Sequence, residues 1–96
     1  MPTRPSQTDP AKAENWARHR AVVGAKIHAL RHERGLTLEE LAHSSGVSLN
    51  VILHVEHGRR GLLFERLYDI AKALGVEARE LLPPEEPTRP RRQRKQ

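Results

Sequence analysis

Ninety-six residues carrying a formal net charge of +5 and only 3% aromatic side chains suffice for one small domain with a modest core, and no second domain fits. The lack of cysteine excludes a disulfide framework and a cysteine-ligated zinc site, and no run of about 18 apolar residues offers a membrane span or leader. The expectation is a soluble, cytoplasmic protein whose positive charge sits unevenly. Residues 1–15 hold two basic and two acidic side chains, residues 16–82 ten and eight, and residues 83–96 five and two. A near-neutral domain with a basic tail fits a modest nucleic-acid footprint, although charge alone decides nothing.

In chain order, residues 1–9 contain Pro2, Pro5 and small polar side chains with nothing to bury, so residues 1–15 read as a flexible arm or as an extension of helix 1. Asp9-Pro10 suits a helix start, with Asp as cap and Pro at the first helical position. Helix 1 covers 17–34 at least; Val23, Ile27 and Leu30 form its apolar stripe, and Trp16 lies on the same face. Gly35 ends it, and Leu36 is placed to pack back over the next helix as a staple. Thr37 and Glu40 have the spacing of a capping box for helix 2, Gly46 suits a tight chain reversal, and Ser48 caps helix 3, at about 48–57. Leu41, Ile52 and Val55 then face one core, which makes a helix-turn-helix unit. The β-branched content of 47–55 also suits a strand, but a lone strand between helical neighbours has no partner.

Gly58-Arg59-Arg60-Gly61 makes a basic loop, after which Leu63, Leu67, Ile70 and Leu74 recur at helical spacing up to Gly75. Residues 77–82 read as a short fifth helix that Pro83-Pro84 cuts off. Residues 83–96, PPEEPTRPRRQRKQ, are expected to form a disordered basic tail.

Gly24, Ile27, Leu30 and Arg31, followed by GLTLEELA, GVS, Ile52, Glu56, Gly58, GRR and IAKALGV, resemble the phage-repressor and Cro class of helix-turn-helix domains, the Xre type. The resemblance covers roughly residues 23–82 and implies an all-α, five-helix bundle of the lambda-repressor type. It also implies a nucleoid-associated regulator, in the usual case a dimeric repressor bound to operator DNA, with no cofactor. Carried onto this chain, Arg31 meets Glu56 in a partly buried ion pair that turns the arginine towards the DNA backbone. A fold-holding pair without DNA contact explains the same residues equally well.

Helix 3 would enter the major groove, leaving Leu49, Asn50, Leu53 and His54 for base edges. Asn50 is the leading reader, because an amide donates to and accepts from an adenine edge at once. Thr37, Ser48, Arg59, Arg60 and Arg31 are the candidate phosphate contacts, with Arg66 a weaker one; capping and solvation are their alternative roles. Arg89, Arg91, Arg92, Arg94 and Lys95 of the tail would add sequence-independent attraction. Trp16, helix 5 and the Leu62-Leu63 pair are the candidate dimer surfaces.

Three positions depart from the family. Leu38 stands where glutamine is usual, Leu53 where a small polar residue is usual, and Leu62-Leu63 where a proline and a polar cap usually precede helix 4. Leu49, Val51 and Leu53 make helix 3 apolar for a reader of bases, so a second reading is a protein-interaction module or antitoxin that binds a partner through that face. The six histidines include His28 and His32 one turn apart, yet no cysteine joins them and no metal site is expected. Ser44, Ser45, His43 and Glu40 are explained as caps, turn and solvent-facing residues, and no phosphate-cradling loop or carboxylate pair appears, so no enzyme is expected.

Overall fold

The computed structural model describes residues 9–84, and these are helical: α1 (Pro10–Glu33), α2 (Leu38–Ser45), α3 (Leu49–Glu56), α4 (Phe64–Leu74) and a closing 3-10 helix (Ala78–Leu81). Residues 10–15 therefore belong to α1, begun by the Asp9 carboxylate accepting from the Ala11 N–H at 3.1 Å with Pro10 in the first turn. Residues 1–8 of the arm expected over 1–15, and residues 85–96 with the tail arginines and Lys95, lie outside the described residues.

The fifth helix is a correction. It is a 3-10 helix of four residues, because the chain cannot go on: Leu82 takes an extended ψ of 153 ahead of Pro83, and the two prolines bring no N–H for a second turn. Leu63 is a second correction, for it is the N-cap position of α4 and is 68% exposed, with no side-chain cap bond. The buried stripe of α4 is Ile70, Ala71 and Leu74, with Leu67 packed beside it.

One core joins all five elements: Ile27, Leu41, Val47, Ile52, Val55, Ile70, Ala71, Leu74 and Leu81. α1 lies against α3, α2 packs on both α3 and α4, and the 3-10 helix closes over α4 and α1. Local signals set the turns between them. Thr37 Oγ1 accepts from the Glu40 N–H at 3.0 Å while the Glu40 carboxylate accepts from the Thr37 N–H at 2.8 Å, and Gly46 turns the chain at φ 76. Arg34 fastens the far end, donating through Nε to the Leu74 carbonyl at 2.7 Å at the close of α4.

The α1–α3 crossing is tight. A Cβ on Gly24 would collide with the Val55 carbonyl and stand 2.9 Å from that of Glu56, so only glycine permits the approach. Two turns further along the same face, Arg31 donates through Nε to Glu56 Oε2 at 2.7 Å, through a terminal nitrogen to Oε1 at 3.0 Å and through the other to the Leu36 carbonyl at 2.9 Å. His28 completes the cluster at 2.9 Å from Glu56 Oε1. Burial pushes the Glu56 carboxyl up, but the hydrogen bonds and charges of Arg31 and His28 together outweigh it and hold the group below the usual carboxylate range. The bond to Glu56 raises Arg31 above its ordinary value despite burial.

Gly24→Ala is expected to lower stability by about 3 kcal/mol in denaturant unfolding, whereas Gly61→Ala, whose Cβ would come no closer than 3.8 Å to an Arg20 side-chain carbon, should leave it nearly unchanged. Equal effects would refute the crossing. For the ion pair, Arg31→Met should cost about 3 kcal/mol at neutral pH, because it leaves a buried carboxylate without its partner. Glu56 has a folded value lower than its unfolded one. Its contribution is therefore complete above the unfolded value, near pH ~4.3, and is lost as pH falls through the folded value. The gap in melting temperature between the native protein and Glu56→Gln should stay constant from pH 7 to about 5 and shrink on further acidification; a gap that ignores acid would contradict the linkage.

Candidate nucleic-acid interface

Ser48 adopts extended geometry, φ −64 and ψ 148, and its Oγ accepts from the Val51 N–H at 3.2 Å, so α3 starts abruptly at Leu49. The first amides of such a helix have no carbonyl within it to bind, and they face the direction from which a phosphate could approach. Leu49, at 39% exposure, and the exposed Asn50 stand at this end, one residue after the other. Ile52 and Val55 are fully buried, which fixes the rotation of α3 and leaves Asn50 directed away from the core.

His54 follows one turn after Asn50 and is half-buried. Its Nδ1 accepts from Arg59 Nε at 3.3 Å, and its carbonyl accepts from the Arg59 N–H at 2.9 Å, so the helix end and the basic loop are joined. Leu53 is not simply outward. It is half-buried and lines a shallow groove with Leu38, Ala25, His28 and His57, the same groove that Arg31 and Glu56 line. Two of the leucines that depart from the family pattern thus form the apolar surroundings of the ion pair.

The candidate phosphate contacts divide. Ser48 and Thr37 both accept amide hydrogens as caps and keep their hydroxyl protons for donation. Thr37, however, stands beside the Glu39 and Glu40 carboxylates, and Glu40 already occupies its backbone N–H. Arg59 and Arg60 are both exposed, but Arg60 lines a cleft with His19 and Arg20 on α1, whereas Arg59 meets His54. Arg31 is 8% exposed, with its guanidinium engaged by Glu56 and Leu36. Arg66 pairs with Asp69 at 3.2 Å.

The sequence reading missed an exposed aromatic pair, Phe64 and Tyr68, whose rings meet edge-on at 4.9 Å on the solvent side of α4. Their spacing of four residues was a visible signal, hidden by taking Leu63 as the start of the stripe. Trp16, on the extended part of α1, is 48% exposed with Lys12 Nζ 5.9 Å from its ring centroid. No described helix is long and apolar enough to cross a membrane.

Comparison with known proteins gives these features a context. Residues 27–81 match the helix-turn-helix family. An uncharacterized HTH-type transcriptional regulator of Sinorhizobium fredii is 42% identical over 69 residues, covering 72% of this chain and 90% of that protein. A similarly described regulator of Bacillus subtilis is 34% identical over 74 residues, covering 77% and 97%. Among solved structures, the restriction-modification controller protein C.AhdI of Aeromonas hydrophila superimposes with a TM-score of 0.63 at 34% identity, over 65% of this chain and 94% of that one. The clp gene regulator ClgR of Corynebacterium glutamicum gives 0.62 at 34% identity, over 65% and 66%. With its capped α2–α3 unit, its family match and these relatives, the chain belongs to the helix-turn-helix family of DNA-binding transcriptional regulators, of the phage-repressor and Cro (Xre) type.

Proposed function

We propose that this protein is a dimeric transcriptional repressor that reads the major groove of operator DNA with α3. The observation that carries the reading is the pose of that helix: its Ser48-capped end presents Leu49 and Asn50 on a body that the Gly24 crossing and the Arg31–Glu56 pair hold rigid. Asn50 is the base reader, bidentate to adenine, and Leu49 meets a thymine methyl group. Ser48 and Arg59 hold phosphates, and His54 reaches the groove edge or positions Arg59. Thr37 and Arg60 contribute less, the first because of its acidic neighbours and the second because of its place in the cleft. Arg31 acts through the fold by placing α3.

Leu63, Phe64 and Tyr68, together with Trp16, supply the exposed apolar surface that a second copy would cover. In such a dimer the two α3 helices would address half-sites about 34 Å apart. The reading of α3 as a surface for a partner protein, as in an antitoxin, finds less support. Leu38 and Leu53 are half-buried over the ion pair, which leaves Leu49 as the one leucine of that set more than a third exposed.

Selection of bound fragments from genomic DNA should recover a palindromic motif. Asn50→Ala should lose about 1–3 kcal/mol per half-site on that motif and relax the preference at one position of each half-site. Arg59→Ala should instead weaken binding to all sequences alike and reduce the slope of log affinity against log salt by about 1.8 for the dimer, about 0.9 for each subunit. If no motif emerges and a protein co-purifies through Leu49, the DNA reading fails.

A further inference from the structure

Behind α3, on the side away from Asn50, lies a cleft of about 610 Å³ between the N-terminal half of α1, the 58–61 loop, α4 and the end of the 3-10 helix. Its apolar walls are Val23, Val55, Leu62, Leu67 and Leu82, and its polar side carries Arg20, Arg60 and His19. Among the described residues no carboxylate lines it. Arg20 and Arg60 take part in no ion pair among the described residues. Arg20 is the more telling of the two. Its stem packs below the 58–61 loop, with its side-chain carbons under Gly61, and its Nε is buried without a hydrogen-bond partner. Part of a guanidinium is withdrawn from water with no acceptor among the described residues, which is unfavourable unless something else brings one.

The geometry points to this cleft as a binding site for a small organic acid with an apolar body and a single carboxylate. The volume falls within the roughly 300–1,000 Å³ of ordinary small-molecule sites, and their pattern of apolar walls with a few convergent polar groups is the one found here. Charge complementarity selects the class: two arginines on one side, without an ion-pair partner among the described residues, favour an anion, and the hydrocarbon walls favour an apolar remainder. Val55 of α3 forms part of one wall and Arg60 of the basic loop forms part of another, so the ligand touches the element that positions the DNA-reading end. Resting on the function proposed above, the consequence is that a bound acid places a negative charge against Arg60, beside the loop that carries Arg59, and so weakens the attraction of that loop for phosphate.

Decanoate, kept below its micellar concentration, is the probe, with decanol as its uncharged counterpart, each titrated calorimetrically into the full chain. One decanoate should bind per chain, about tenfold more tightly than decanol, and Arg20→Met should reduce its affinity about tenfold while the melting temperature shows the variant to be folded. Arg60→Met should act in the same direction. Equal binding of acid and alcohol, or no binding, overturns the site. So does binding that appears only after Glu85→Gln and Glu86→Gln, since the chain's own tail would then be the source of the carboxylate. In a parallel polarisation assay with a random-sequence duplex at low salt, decanoate should weaken DNA binding in the native protein and not in Arg20→Met. Unchanged duplex affinity with decanoate bound overturns the coupling. Failure to bind any duplex counts against the proposed function and leaves the calorimetry to judge the cleft.

Discussion

The close passage of α1 over the last turn of α3 is the constraint on which the rest of this structure depends. α1 buries Gly24, Ile27 and Arg31, three residues on one stripe, and each does a different thing to the same partner helix. Gly24 lets the backbones approach, Ile27 enters the core, and Arg31 binds Glu56 at the helix end. Backbone contact sets the separation, apolar packing sets the rotation, and the two parallel hydrogen bonds set the register along the axis. α3 is only eight residues long, too short to be stable alone, so its shape and position come from these contacts.

That dependence gives a physical meaning to the leucines that make this chain unusual. Leu38 and Leu53 come from the first turn of α2 and the middle of α3, and they meet in the groove that also exposes the edge of the ion pair. Apolar side chains there lower the local polarity around Glu56, whose side chain is 3% exposed. A lower dielectric strengthens the attraction to Arg31 and raises the penalty for losing it.

α3 consequently has two surfaces of different character. Its front carries Asn50, His54 and, through a hydrogen bond, Arg59. Its back contributes Val55 to a cleft bounded by arginines on α1 and on the loop. Adjacent in sequence, Arg59 meets His54 of α3 whereas Arg60 lines the cleft with Arg20. A basic dipeptide that reads as one phosphate clamp in the sequence thus has two different surroundings.

What the sequence by itself determined is local. The Thr37–Glu40 box, the Ser48 cap and the Gly46 turn each act over three or four residues, and the helix-turn-helix and the buried Leu41, Ile52 and Val55 could be read directly from them. The Arg31–Glu56 pair, 25 residues apart, was legible only through a family resemblance. Tertiary structure alone decided the rest: the exposure of Trp16, Leu63, Phe64 and Tyr68, the hold of Arg34 on a carbonyl 40 residues away, the half-burial of Leu53 and the orphaned nitrogen of Arg20. Periodicity shows which residues of a helix share a face. Whether that face meets protein or water depends on how many neighbours surround it, and α1 runs on for four turns beyond Gly24 towards its start with too few elements beside it to bury Trp16.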